Sequence, residues 1–330
     1  MKTISIGFVD FWDGFDPSDN FITRALDGKI DYVIKDDQEV DFVFCSIFGC
    51  DFLNYSCPRI FFTGENCIPD FNLYDYGIGF EQMSVSDRYF RYPLYAACYE
   101  NDCIAMKQPM KEDAEAYLNR EFCSFVVSNS DYADVYREEL FRQLSEYRPV
   151  SSGGRYLNNI GMPDGVEDKQ AFISKYKFNI ACENVSHKGY CTEKIVQAFA
   201  AHTIPIYWGD PCVSEYFNPK AFIDCNAFAS MKDAIEYVKK IDNDDEAYLD
   251  MLNQPKIINE KYYTDNLSKE FEKWLLSVVT QDMRQAYRRS LKGWAGAHEN
   301  KLAERESIYR KNANKHHYSI SAIVNRIRSI

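Results

Sequence analysis

The run from Phe178 to Gly209 constrains the fold of this chain more than any other stretch. Phe178-Asn-Ile-Ala-Cys182 is apolar and of strand length, and a polar loop follows it. Residues 193–201 then read as a helix, and 203–207 as a second strand. Strands joined through a helix must lie parallel, because a parallel pair needs a long crossover where an antiparallel pair needs only a short turn. Helices then cover the sheet, which is why both strands read as apolar runs rather than as alternating patterns. Such a crossover sets a helix N-terminus at the carboxyl end of a strand, where exposed amides and the helix dipole attract ligand phosphates. Glu183, Asn184, Tyr190, Glu193 and Lys194 all fall in this crossover, and Lys194 adds a cation one step into the helix. The outline is that of a nucleotide-handling site.

The same alternation runs through the rest of the sequence. Strands are expected at 4–8, 31–34, 41–44 and 59–62, each rich in Ile, Val or Phe, with a short helix at 21–26. The polar stretch from about 100 to 118 reads as the approach to a domain boundary. A second series follows: strand 122–127, an amphipathic helix at 132–147, the crossover already described, strand 221–225 and helix 231–240. Two series of this kind predict two Rossmann-like, doubly wound α/β domains facing each other across a cleft. We place them at 1–118 and 119–280, followed by a C-terminal tail at 281–330. A chain of 330 residues is long enough for two cores.

Composition excludes several classes. The net charge of −12 argues against a general nucleic-acid binder. Eleven cysteines without a CxxC pair give no zinc pattern and fit buried thiols in a reducing compartment. The 24 Tyr and 23 Phe could stack on sugars and bases, but the core reading is preferred. The N-terminus reads as a first strand, without the apolar region and cleavage site of a signal peptide. No apolar run approaches bilayer-spanning length. A cytoplasmic protein is expected.

Charge is uneven along the chain. Residues 281–330 hold eleven Lys/Arg against four Asp/Glu, a tail of +7 on a remainder of −19. Ile320, Ile323, Val324, Ile327 and Ile330 fall at helical spacing, with Arg326 and Arg328 off that stripe. Such an end suits an anionic membrane surface, which would make the protein peripheral on the inner face of the membrane. It suits packing on the protein itself, or on a dimer partner, equally well.

The crossover also resembles the donor-binding signature of the α-1,3/4-fucosyltransferases, a strand ending in Glu-Asn followed by Tyr-x-Thr-Glu-Lys. Further blocks are similar to that family: Phe61-Phe-Thr-Gly-Glu-Asn66, Pro69-Asp-Phe-Asn72, Tyr74-Asp-Tyr-Gly-Ile-Gly-Phe80 and Asp87-Arg-Tyr89. They continue through Ser124-Phe-Val-Val-Ser-Asn129, Ser152-Gly-Gly-Arg155 and Asn218-Pro-Lys220. The resemblance covers roughly residues 59–225. It departs at Cys182, where the family carries an aromatic residue, and in the loop Val185-Ser-His-Lys-Gly189. It implies the two-domain GT-B architecture and a bacterial-type enzyme. The implied activity is inverting, α-1,3-directed transfer of fucose from GDP-fucose to N-acetylglucosamine in lactosamine-type, Lewis-antigen-like acceptors.

Roles follow from the resemblance together with position. Glu65 stands after a strand and a turn glycine; by position alone its carboxylate could simply bond a neighbouring loop, and the resemblance makes it the base. Arg155 closes a Gly-Gly turn that would let backbone approach a ligand, and its fork suits phosphate oxygens. The resemblance makes it a pyrophosphate clamp, with Lys194 as a second phosphate contact. Asn184, Tyr190 and Glu193 are assigned to the donor by matching position, as is Glu183. No metal ligand set is expected. His187 and His202 have no paired carboxylates at ligand spacing in the sequence, and Asp36-Asp37 and Asp242-Asn-Asp-Asp-Glu246 read as solvated loops. No cofactor is required on this reading, because two cations do the work of a metal ion. The alternatives are a transferase of the same architecture using another nucleotide sugar, and a non-catalytic nucleotide- or glycan-binding protein.

Overall fold

The computed structural model describes residues 3–110 and 113–327, with side chains described as far as Asn312. Two wholly parallel sheets organise it. The first comprises β1 (Ile4–Val9), β2 (Tyr32–Ile34), β3 (Phe42–Cys45), β4 (Arg59–Phe62), β5 (Tyr76–Gly79) and β6 (Tyr89–Arg91), in the order β2-β1-β3-β4-β5-β6. The second comprises β7 (Glu121–Phe125), β8 (Val150–Ser152), β9 (Tyr176–Cys182), β10 (Ile204–Trp208) and β11 (Ile223–Asp224), in the order β11-β10-β9-β7-β8. Two doubly wound α/β domains of the GT-B type result. Strand order reverses between β1 and β3 in one sheet and between β7 and β9 in the other. Open α/β sheets bind ligands in the crevice that such a reversal leaves at their carboxyl edge.

The strands form where burial on both faces favours them. β3 and β4 are buried at every residue, and so are all seven residues of β9, including Lys177 and Asn179. Cores follow the sheets, with the Tyr and Phe largely inside: Tyr76, Tyr95, Tyr207, Tyr216 and Tyr248 are at most 1 % exposed.

Three expectations change. The helix Thr264–Val279 belongs by packing to the first domain, not to the 119–280 unit. Phe271 lies 4.8 Å from the Tyr92 ring and 5.4 Å from that of Phe21, and Thr264 donates to the Ala96 carbonyl. Its apolar face needs a partner, and the first sheet provides one. The segment near 100–118 is also more than a connection: the helix Glu100–Ala105 packs on the helix Glu193–Ala200 of the second domain, with Cys103 fully buried. Asp242 is not solvated. It ends the helix Met231–Asp242 with its side chain buried, 3.0 Å from Arg148 and 3.7 Å from Lys177.

The tail divides in two. Its beginning docks on the first domain, where Arg289 forms a fully buried ion pair with Asp75 and Glu299 meets the buried Arg59 at 2.9 Å. The helix Gly293–Ile327 carries these contacts outward to Arg310, which pairs with Asp51 at 2.8 Å. The side chains of Ile320, Ile323, Val324, Arg326 and Ile327, and all of Arg328 and Ile330, lie outside the described residues. Among the described residues no helix is long and apolar enough to cross a membrane.

Candidate active site

A cavity of about 310 Å³ opens at the strand-order reversal of the second sheet. Val126, Val127, Ser128 and Asn129 reach it from the end of β7, Asn184 from the end of β9, and Tyr190, Glu193 and Lys194 from the crossover. Gly64 and Glu65 enter from the other domain at the end of β4, joined by Leu94 and Tyr99. Glu65 is exposed, and its backbone N–H is held by the Thr63 hydroxyl at 3.0 Å. Its carboxylate makes no hydrogen bond among the described residues.

The crossover loop is fixed across the domain boundary. Gly189 has φ +83, and a Cβ there would stand 2.6 Å from the Phe80 carbonyl oxygen, so only glycine fits. The Tyr190 ring meets Phe80 edge-on at 5.1 Å, and His187 pairs with Glu81. Burial pushes the Tyr190 hydroxyl above its usual range.

Glu183 is not a lining residue. It is fully buried behind the helix start: Oε1 accepts the Thr192 N–H at 2.7 Å, while Oε2 accepts the Thr192 hydroxyl at 2.5 Å and the Lys194 ammonium at 3.0 Å. Burial raises the Glu183 carboxyl above the ordinary range, against the pull of Lys194 and of the Thr192 donors. Lys194 also stands 3.4 Å from Glu193. Burial alone would raise Glu193, but Lys194 and then Lys169 outweigh it and bring that carboxyl down to about 2. Lys194 itself is pushed up: burial opposes its charge, and Glu183 and Glu193 more than restore it.

Thr192 occupies the N-cap position without capping. Its hydroxyl is committed to Glu183 and Lys194, so it does not cap the helix Glu193–Ala200.

Arg155, expected beside Lys194, is exposed on the loop after β8 and is not among the lining residues; it has no hydrogen bond or ion pair among the described residues. The preceding glycines serve packing rather than ligand approach. A Cβ on Gly154 would lie 1.9 Å from the Val127 carbonyl oxygen, and one on Gly153 would strike the Phe172 ring at 2.7 Å.

Two further cations line the cavity. Arg137, 2 % exposed, donates to Asn184 Oδ1 at 2.7 Å and to the Asn129 carbonyl, and its Nε has no partner. Among the described residues no carboxylate pairs with it, and burial lowers its pKa. It sits three residues before Leu140 and seven before Leu144, on the buried stripe of its helix. A charge on an apolar stripe was the available signal. Lys169 stands at the start of the helix Lys169–Ile173, with its pKa lowered by burial, and nothing local in the sequence marks it.

The chain is similar to known proteins. The family model for the α-(1,3)-fucosyltransferase FucT N-terminal domain matches residues 6–99, and that for the glycosyltransferase family 10 (fucosyltransferase) C-terminal region matches 118–254. Together they span more than two thirds of the chain. An α-(1,3)-fucosyltransferase FucT of Helicobacter pylori is 39% identical over 246 residues, covering 64% of this chain and 51% of that protein, so the chain spans about half the length of this curated relative. A crystal structure of an α1,3-fucosyltransferase superposes with a TM-score of 0.72 at 29% identity, over 84% of this chain and 90% of that one. The structure with GDP-fucose gives 0.73 at 28%, over 87% and 93%. The chain belongs to the family 10 glycosyltransferases, the fucosyltransferases of the α-1,3/4 group.

Proposed function

We propose that this protein transfers fucose from GDP-fucose to the 3-hydroxyl of N-acetylglucosamine in a lactosamine-type acceptor, with inversion at the anomeric carbon. The observation that carries the reading is that one cavity receives Glu65 from the first domain and Lys194 from the second. Glu65 accepts the proton of the attacking hydroxyl. The acceptor oxygen bonds to the fucose anomeric carbon as the bond to the β-phosphate oxygen breaks, and GDP leaves with the bonding pair.

The leaving diphosphate needs positive charge. Lys194, Lys169 and Arg137 stand at the cavity, while Arg155, free of protein partners among the described residues, is a cation able to close over the phosphates from outside. Asn184, Tyr190 and Glu193 contact the donor, Glu193 through ribose or fucose hydroxyls. Glu183 acts through Lys194 and Thr192 as a positioning residue. Because side chains supply the charge, turnover is expected to survive chelation of divalent ions.

The test is incubation of purified protein with GDP-fucose and N-acetyllactosamine, following GDP release and determining the product linkage by NMR, with GDP-mannose in a parallel arm. The expected product carries 3-linked α-fucose. Absence of GDP release with every lactosamine and lacto-type acceptor overturns the reading, and preferred use of GDP-mannose overturns the donor.

A further inference from the structure

The cleft cavity does not end at Glu65. Tyr99, which lines it, also lines a second cavity of about 490 Å³ together with Glu100, Asn101 and Asp102. Cys98, Asp19 and Arg24 are shared between that cavity and a third, of about 280 Å³, which ends on Trp12 and Phe15. These shared lining residues put the three cavities in series, a trough running from the proposed base to the loop after β1, at the strand-order reversal of the first sheet.

The far end of the trough is built in advance. Trp12 is 36 % exposed, yet its ring is held 5.6 Å from Phe11 and edge-on to Phe15 at 5.1 Å. Asp10 adopts φ +60, a left-handed conformation that a non-glycine residue holds only under constraint. Its carboxylate accepts the N–H groups of Asp51 and Phe52 at 2.9 Å, and its carbonyl accepts that of Phe48 at 3.0 Å. The loops leaving β1 and β3 are thereby tied together. Asn20 fixes the next turn by donating to the Asp16 and Pro17 carbonyls.

An exposed indole beside hydrogen-bonding side chains is a chemistry that recognises sugars, with ring faces for C–H surfaces and polar groups for hydroxyls. Asp19, Glu100 and Asp102 outnumber Arg24, which pairs with Asp19 at 2.7 Å, so the lining disfavours anions. We propose that the trough binds the sugars of an extended, neutral oligosaccharide acceptor beyond the unit that receives fucose, with Trp12 as the distal stacking platform. This rests on the fucosyl-transfer reading above.

The experiment compares kcat/KM for a lactosamine disaccharide, a neutral hexasaccharide of three lactosamine units and its sialylated form. It uses the full chain as wild type, Trp12→Ala and Cys98→Trp, the last placing an indole where the second and third cavities meet. The wild type is expected to prefer the neutral hexasaccharide to the disaccharide at least tenfold and to disfavour the sialylated form, and either variant to bring the first ratio to about one. A wild-type ratio near one, or a ratio unchanged in both variants, overturns the proposal. Should the wild type transfer to none of these acceptors, the transfer reading fails. The trough is then judged by titrating tryptophan fluorescence with the neutral hexasaccharide: quenching lost in Trp12→Ala supports it, and no quenching in the wild type overturns it.

Discussion

Replacing Glu183 by Gln separates positioning from donor contact. The side chain is fully buried and serves three donors: the Thr192 N–H at 2.7 Å, the Thr192 hydroxyl at 2.5 Å and the Lys194 ammonium at 3.0 Å. Gln keeps the volume and one acceptor oxygen, but its amide nitrogen confronts a donor. One buried donor left unpaired costs about 1–3 kcal/mol. Removing the negative partner of a buried ion pair costs about 3–5 kcal/mol when nothing replaces it. Here Glu193 remains 3.4 Å from Lys194, and relief of the Glu183 burial penalty offsets part of the loss. The net expectation is a loss of about 2–3 kcal/mol, a fall in the unfolding midpoint of roughly 5 °C. With Lys194 no longer held, kcat/KM for GDP-fucose falls roughly 10- to 100-fold, equivalent to about 1.4–2.8 kcal/mol. Differential scanning fluorimetry and initial rates measure both in one preparation. Thr192→Val should cost less in the Glu183→Gln background than in wild type, because the two changes break the same bond. An unfolding midpoint and GDP-fucose kinetics indistinguishable from wild type would refute the reasoning.

Other substitutions read other parts of the site. Glu65→Gln is expected to keep GDP affinity within about threefold while turnover falls at least 100-fold; titration calorimetry and rates decide, and retained turnover removes Glu65 from its role. Arg137→Met should weaken GDP binding roughly tenfold or more, and Arg137→Lys should not restore it, since one ammonium cannot span Asn129 and Asn184; normal affinity in either variant refutes this. Glu193, brought down from 4.5 to about 2 in the fold, contributes stability present above pH 4.5 and lost as pH falls towards 2, so Glu193→Gln should flatten acid unfolding in that window. Lys256, 9 % exposed, has its pKa lowered by burial to about 8 from 10.5. The unfolded chain therefore binds more protons between those values, and stability from this group rises as pH rises through them. Lys256→Met should raise stability at pH 7 by about 1–2 kcal/mol, after the lost bond to the Leu252 carbonyl, and the gain should vanish near pH 10 in urea titrations. Truncation after Asn312 tests the tail: liposome sedimentation should be lost with activity kept, and unchanged sedimentation rejects membrane attachment there.

The strands legible in the sequence were those whose burial is local to them. Residues 59–62 and the helix at 21–26 match β4 and Phe21–Leu26 residue for residue, and 178–182 lies within β9. β5 (Tyr76-Gly-Ile-Gly79) and β6 (Tyr89-Phe-Arg91) were not legible as strands. Two glycines and an arginine leave no apolar run, and these segments extend because β4 offers an edge to β5 and β5 in turn offers one to β6. The acidic run after Asp242 misled for a different reason. Asp244 caps the helix Asp245–Asn253 by accepting the Ala247 N–H at 3.0 Å, and acids in the first helical turn complement the dipole, so the run marks a helix start rather than a solvated loop. The helix Thr264–Val279 is a matter of return: nothing in its own residues says which domain its apolar face will meet.

The active site divides along a similar line, between where a charge stands and what it is paired with. Strand ends are readable, so Glu65, Asn184 and Lys194 fall at the cavity where their positions put them. Pairing is a property of three dimensions, and here it bears on the chemistry. A cation and a base sharing one cavity would, left alone, neutralise each other, and a base bonded to an ammonium is a poor acceptor for a sugar hydroxyl proton. Glu183 and Glu193 hold Lys194 at 3.0 and 3.4 Å, while the Glu65 carboxylate keeps no partner among the described residues. The two acids of the second domain thus do more than fix a lysine: by satisfying it, they leave the carboxylate of the first domain open. The diphosphate is then met by Lys194 together with charge that no carboxylate holds among the described residues, which Arg137 and Arg155 retain. On this argument Glu193→Gln draws Lys194 towards Glu65 and lowers turnover more than GDP affinity, whereas a carboxylate that only bonded a donor hydroxyl would, on removal, weaken donor binding first.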